Sequence, residues 1–167
     1  MRLSLPEKLI YIGLVAIVAG EALVRNPVHF HQTVQAAGYT MRVPMWWTPV
    51  KNPGSGMLVA LRREWARSGT VDVMDRTAFG PKDSAWTMGA ARHEQVSIVA
   101  LQAKDGRFTN QAVLDLNAGK FTAVCEEASI GGNQALACYI VGTPLQFAYL
   151  GSASYEADAR EMLASLK

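Results

Sequence analysis

The stretch CEEASIGGNQALAC, residues 125–138, contains the only two cysteines of the 167-residue chain and constrains its fold most strongly. The Gly131-Gly132 dipeptide at its centre is typical of a two-residue hairpin turn, because such turns need residues that tolerate a positive φ. Residues equidistant from that turn face each other, so Cys125 lies opposite Cys138. Counting outward makes them a non-hydrogen-bonded pair, with Cα atoms about 4.5 Å apart and within reach of a disulfide.

The spacing therefore favours a disulfide between Cys125 and Cys138. Closing a loop of this length adds roughly 3 kcal/mol to the free energy of unfolding. The twelve intervening residues are too many for the CxxC motifs of redox or zinc sites. Because disulfides persist in oxidising compartments, the pair predicts a domain outside the cytoplasm. Two free buried thiols are the alternative.

An apolar run near the N-terminus also indicates export. LIYIGLVAIVAG, from Leu9 to Gly20, contains no charged residue, and Lys8 and Glu21 flank it. Twelve such residues suit the hydrophobic region of a signal peptide, since a full span needs about 20. Residues 6–24 together are long enough to cross a bilayer as an uncleaved anchor.

We predict a signal-anchor or transmembrane helix at residues 1–25, a connector at 26–38 and an exported domain at 39–167. Arg2 and Lys8 favour the cytoplasmic side for the N-terminus. The expected location is the inner membrane, single-pass, with the C-terminal domain on the periplasmic or extracytoplasmic side and the lipid bilayer bound through residues 6–24. There are two alternatives. Cleavage near Gly20 would give a secreted or periplasmic protein, or the apolar run would be the buried first helix of a soluble protein.

The composition is that of a globular domain. Half of the residues are hydrophobic, 18% are charged, and the formal net charge is +2. The basic residues are scattered, with Arg62-Arg63 the densest spot, whereas nucleic-acid-binding proteins concentrate them on one face. We therefore expect no nucleic-acid partner. No motif indicates a cofactor or an activated catalytic nucleophile.

Local patterns predict an α+β domain, an antiparallel sheet packed with helices, after the N-terminal transmembrane or signal helix. Strand patterns lie at residues 39–43, 57–61, 71–73 and 96–103, and in three runs between 120 and 152. One helix is predicted from a cap at Asp83 or Ser84 to Glu94, and another after a cap at Ser154. Residues 109–119 fit either a helix or a strand.

Three histidines form a candidate metal site. His29 and His31 stand two apart, so in an extended segment both imidazoles point to the same side, as ligands of one ion require. His93, the only other histidine, would be a third ligand. Histidines next to a proline such as Pro27 are more often ordinary loop residues.

Trp46-Trp47 is a candidate partner-binding site. In an extended segment, one ring enters the core and its neighbour faces outward. An outward tryptophan between Pro44 and Pro49 is suited to anchor a partner protein or to lie at a membrane interface. The alternative is that both rings pack partly over their own loop.

Two segments resemble PsbP-like proteins. GYTMRVPMWWTPV, starting at Gly38, is similar to their opening strand and P-x-x-W motif. Residues 119–167 are similar to their closing part, where a Gly-led strand feeds a long hairpin, a last strand and a helix ending in a Ser-apolar pair, here Ser165-Leu166. The superfamily includes photosystem-associated PsbP proteins, the DcrB-type envelope lipoprotein and Ran-binding Mog-type proteins. The resemblance implies an α/β/α sandwich and a binding or assembly role without catalysis, and no functional residue is carried over.

These features together predict a membrane-anchored, non-catalytic binding or accessory subunit of a cell-envelope complex. Its expected partners are other envelope or membrane-complex proteins. A metal-dependent hydrolase using the histidine cluster and a cleaved periplasmic ligand-binding domain are the alternative functions.

Overall fold

The computed structural model describes residues 31–63, 69–76 and 85–167. The predicted N-terminal helix, the first part of the predicted connector and His29 lie outside these residues. Within the described ranges, no helix is both long and apolar enough to cross a membrane. Residues Gln32–Lys167 form one compact unit, and a second unit, Met1–His31, contributes only His31 to the described residues.

The described residues form nine strands, two helices and one short 3-10 turn. In chain order these elements are β1 His31–Ala36, β2 Tyr39–Pro44, β3 Thr48–Pro49, β4 Met57–Arg62, β5 Gly69–Asp75, α1 Met88–Gln102, β6 Phe108–Ala118, β7 Phe121–Ile130, β8 Asn133–Ile140, β9 Leu145–Gly151, the 3-10 turn Ala153–Tyr155 and α2 Glu156–Ala164. Strands β3 to β9 form a seven-stranded sheet in the order β3-β4-β5-β9-β8-β7-β6, and β1 pairs with β2. Every pairing in the larger sheet is antiparallel, which confirms the α+β prediction.

The predicted hairpin is present with the predicted register. Gly131 and Gly132 have φ values of 56° and 82° and form the turn between β7 and β8. Cys125 pairs with Cys138 across it, with Cα atoms 4.0 Å apart and a disulfide between the two sulfurs. The register count from the two glycines therefore located the disulfide correctly.

A helix lies on each face of the larger sheet. Successive residues of a strand point to opposite faces, so Val124 and Cys125 belong to different cores. Cys125 lies in the main apolar cluster with Met162 and Leu163 of α2. Val124 lies in a smaller cluster with Ala91 of α1. Helix α2 therefore covers the larger core, and α1 covers the opposite side of β6 and β7.

Residues 96–103 were predicted as a strand, and that prediction is wrong. Helix α1 runs through them, starting after Thr87, whose side chain accepts a hydrogen bond from the Ala90 N–H at 3.2 Å. Ala91 and Gln95 are buried against the sheet one helical turn apart. Val and Ile have a lower helix propensity than good helix formers, but only by under about 0.7 kcal/mol per residue. The free energy gained by burying this helix face outweighs that cost.

In three further segments the structure differs from the sequence-based prediction or decides between its alternatives. Residues 109–119, which fitted either a helix or a strand, lie almost entirely in β6. Residues 31–36 form β1, within the segment predicted as a connector. Ser154 does not cap α2, because Ser152 accepts from the Ser154 N–H and starts the 3-10 turn that precedes the helix.

The C-terminal residues close the main core against β2 and the β6–β7 turn. The backbones of Thr40 and Lys167 exchange two hydrogen bonds, at 3.0 and 3.2 Å. Ser165 Oγ accepts from the Arg42 N–H at 2.8 Å. Leu166 lies against Gly119, where an added Cβ would stand 1.7 Å from the Leu166 carbonyl oxygen. Only glycine fits at this turn.

We expect Gly119→Ala to lower the free energy of unfolding by about 3 kcal/mol, because an overpacking clash adds to the strain of a left-handed residue. Gly119 has φ +69°, and the matched control Gly106→Ala has φ +67° with nothing within 4 Å of its Cβ. The control should lose only about 1 kcal/mol in urea denaturation. Equal losses from the two variants would contradict the clash with Leu166.

Candidate partner-binding surface

A tight turn at residues 44–47 orients the two adjacent tryptophans. The Trp47 N–H donates to the Pro44 carbonyl at 3.0 Å, which closes the turn directly after β2. Neighbouring side chains of an extended strand point to opposite sides. In this turn the indole N–H groups of Trp46 and Trp47 instead reach the same carboxylate, that of Asp158.

Asp158 joins the turn to helix α2. Its Oδ2 accepts from Nε1 of Trp46 at 2.8 Å and from Nε1 of Trp47 at 2.9 Å. Nη1 of Arg63 lies 3.4 Å from the same oxygen. Asp158 stands in the first turn of α2, where the helix dipole favours a negative charge. One carboxylate therefore holds together the turn, the chain just after β4 and the start of α2.

The Arg63 guanidinium also stacks on aromatic rings beside this carboxylate. Its Cζ lies 3.7 Å from the ring centroid of Tyr155 and 5.7 Å from that of Trp46. Both distances are within the range of cation–π interactions. Trp46 is thus held by a hydrogen bond on its indole nitrogen and by a cation near its ring.

Trp47 is a core residue. Its side chain is fully buried, and its ring meets that of Tyr149 edge-on with centroids 6.4 Å apart. Burial, together with nearby acidic groups, raises the pKa of Tyr149 to about 12. Gly69 makes room for the indole, because a Cβ there would stand 2.6 Å from Cη2 of Trp47.

The outer side of this segment is apolar. Met45 is 57% exposed and Val50 is 38% exposed, while Trp46 is half-buried between them in sequence. We call Met45, Trp46 and Val50 the turn surface. The sequence-based prediction selected the two tryptophans and missed Met45, although the prolines on either side already indicated an irregular, surface-exposed segment.

Two of the three histidines lie in the described part of the chain. His31 opens β1, His93 lies exposed on α1, and His29 is outside the described residues. In the part of the chain that the structure describes, no group of three His, Cys, Asp or Glu side chains could hold a metal ion. The proposed ligand set therefore gains no support from the described residues.

An apolar crevice opens between the two sheets and the C-terminus. Its lining includes Val34, Tyr39, Met41, Leu145 and Leu166, and it has room for about 10 Å³, roughly one water molecule. A typical small-molecule pocket has a volume of roughly 300 Å³ or more. This crevice is too small for a small-molecule ligand.

Polar side chains attach α1 to the sheet. Gln95 is 1% exposed, and its Nε2 donates to the backbone carbonyls of Ala137 at 2.7 Å and Val124 at 3.2 Å. Arg92 forms an ion pair with Asp115 of β6. Gln95 therefore fixes the buried face of α1 to β7 and β8 through hydrogen bonds.

Glu126 is a buried carboxylate on the same side of the sheet. It is 4% exposed, and Nε2 of Gln111 donates to its Oε1 at a long 3.4 Å and to Oε1 of Gln102 at 2.7 Å. Burial raises the pKa of Glu126, and the hydrogen bonds from Gln111 and Gln102 offset this only in part. Folding therefore favours the protonated form of Glu126 relative to the unfolded chain.

We expect Asp158→Ala to lower the free energy of unfolding by about 2 kcal/mol, because it leaves the buried indole N–H of Trp47 without an acceptor. Tryptophan fluorescence should shift to the red as the turn loosens around Trp46. Asp158→Asn keeps one acceptor oxygen and should lose about half as much in urea denaturation. Wild-type stability in the alanine variant would show that the carboxylate does not hold the turn.

Glu126→Gln should stabilise the protein increasingly as the pH rises. A carboxyl group with a raised folded-state pKa contributes stability below its ordinary value of 4.5 and loses that contribution as the pH rises through the folded pKa. The melting temperatures of variant and wild type should differ least near pH 4 and most near pH 8.

Glu127→Gln is the matched control, because it removes an ion pair with Arg160 instead. It should give no stabilisation at high pH. A constant difference between Glu126→Gln and wild type at all pH values would contradict the raised pKa.

Solved structures supply the comparison with known proteins. No family model and no curated protein sequence matches the chain. The solution structure of cyanobacterial PsbP (CyanoP) from Synechocystis sp. PCC 6803 matches with a TM-score of 0.52 and 16% identity, covering 84% of this chain and 93% of that chain. A Bacteroides thetaiotaomicron VPI-5482 crystal structure matches with a TM-score of 0.48 and 16% identity, covering 83% of this chain and 47% of that one. On the strength of the first match, the chain has the PsbP-like fold that its sequence resemblance predicted.

Proposed function

We propose that this chain is a membrane-anchored, non-catalytic binding domain that serves as an accessory subunit of a cell-envelope complex. Residues 6–24 hold it in the inner membrane, and the domain described above lies on the periplasmic or extracytoplasmic side. The turn surface contacts a protein partner in that compartment. The PsbP-like fold supports an accessory role, because the resemblance implies binding or assembly without catalysis.

The disulfide supports the location. Cys125 and Cys138 are bonded across neighbouring strands, and both are buried. Structural disulfides form in oxidising compartments and are rare in the cytosol. The apolar segment Leu9–Gly20 supports export independently, because a run of that length and composition is typical of signal sequences and anchors.

The turn surface is the single observation that carries the binding role. Exposed methionine adapts to varied apolar partners because its side chain is flexible and polarisable. Here the backbone beneath Met45 is held rigid by two indole hydrogen bonds to Asp158. A preorganised backbone loses little conformational entropy on binding, so more of the contact energy remains as affinity.

A free periplasmic domain is the competing form, and it requires cleavage near Gly20. The mass of the purified chain distinguishes the two forms, because the anchored form retains residues 6–24. The same measurement reports the disulfide as a loss of two hydrogens. After denaturation without reductant, an oxidised chain should take up no thiol reagent, and two equivalents of uptake would overturn the extracytoplasmic location.

Photo-crosslinking tests the binding role. A photoreactive amino acid at Met45, in the full chain in its native membranes, should give a discrete heavier adduct with one envelope protein. The control position is Leu101, which is 68% exposed on the opposite side of the sheet. Equal adducts from both positions, or none from Met45, would overturn the assignment of the turn surface as the contact site.

A further inference from the structure

The two edges of the seven-stranded sheet differ in how they are protected. Strand β3 has only two residues, one of them Pro49, whereas β6 has eleven residues and neither lysine nor proline. Natural sheet edges are usually shortened, or carry lysine, proline or a bulge, to prevent pairing with another chain. The only bulge in β6 lies between Thr109 and Ala112, which leaves residues 112–118 regular. Among the described residues, β6 pairs with β7 alone.

The ladder between β6 and β7 determines which backbone groups of β6 face outward. Ala118 and Phe121 flank a two-residue turn and form a hydrogen-bonded pair. Alternation from there directs the backbone groups of Leu116 and Leu114 toward β7. Leu114 forms a hydrogen-bonded pair with Cys125 of β7. The backbone groups of Cys125 therefore point toward β6, which agrees with its non-hydrogen-bonded pairing with Cys138 of β8.

The backbone groups of every second residue in the regular part of β6 point away from β7, and together they form an outward row. Val113, Asp115 and Asn117 belong to non-hydrogen-bonded pairs with β7, so their N–H and C=O groups point away from the sheet. None of these backbone groups has a partner within the described residues. The row is complementary to an identical row running in the opposite direction.

We propose that a second copy of this chain pairs with β6 in antiparallel orientation, about a two-fold axis through Leu114. The two sheets then form one continuous sheet. In this arrangement the outward N–H and C=O groups of each copy bond to those of the other, and the two-fold symmetry closes the assembly as a dimer. The proposal concerns a surface on the opposite edge of the sheet from β3, and it does not depend on the function proposed for the turn surface.

Side-chain pairing favours this register over one centred on Asp115. An axis through Asp115 would place two carboxylates directly opposite each other, which is destabilising. An axis through Leu114 instead places Leu114 against its own copy and Leu116 against Ala112, so the pairs on that face are apolar. Asp115 then faces Val113 of the other copy, while its charge stays paired with Arg92 at 2.6 and 2.8 Å.

Sedimentation of the full chain in detergent micelles tests the proposal. The wild type should have twice the mass of one chain at high micromolar concentration. Asp115→Pro removes an outward N–H without breaking a bond to β7, so it should sediment as a single chain. Asp115→Ala removes the same side chain but keeps the N–H, and it should remain a dimer. A wild type of single-chain mass, or a dimeric proline variant, overturns the proposal.

Amide hydrogen exchange of the wild type tests the same edge without any substitution. The amides of Val113 and Asp115 should exchange slowly when the chain is concentrated and much faster on dilution. The amides of Leu114 and Leu116 bond to β7 and should be protected at both concentrations. Outward amides that exchange at the same rate at both concentrations would place any dimer contact elsewhere.

Discussion

The register between β7 and β8 is the constraint on which the rest of the fold depends. With Cys125 opposite Cys138, the two cysteines lie in the main core beneath α2, and Val124 and Glu126 lie beneath α1. A slip of one residue would exchange the two faces and bury the Glu126 carboxylate in the larger apolar core. The disulfide prevents that slip by joining the two strands covalently, and the Gly131-Gly132 turn favours the same alignment.

Asp158 is the second constraint, and it connects the fold to the proposed function. One oxygen of its carboxylate, Oδ2, accepts from both indoles of the turn and lies beside Arg63. These contacts keep the backbone of residues 44–47 in one conformation while Met45 projects into solvent. The turn surface is thus rigid where it meets the domain and adaptable where it would meet a partner, because a methionine side chain repacks easily.

Sequence patterns predicted the sheet better than they predicted α1. Glycine turns and alternating apolar residues are local signals, and they correctly placed β2, β4, β7 and β8. Residues 96–103 were misassigned because Val and Ile suit strands locally, whereas the sheet offered a face on which Gln95 and Ala91 could be buried as part of a helix. The segment 109–119 stayed ambiguous because its strand conformation depends on its pairing with β7, which local propensity does not reveal.

The sequence by itself determined the α+β class and the cysteine pairing, because each follows from spacing between near neighbours. Only the tertiary structure showed that both tryptophans share Asp158, more than 100 residues away, and that Met45 is the exposed member of the turn. The steric need for glycine at position 119 also emerged there, from its contact with Leu166. Such contacts join residues far apart in the chain, and local patterns carry no information about which distant side chain will meet them.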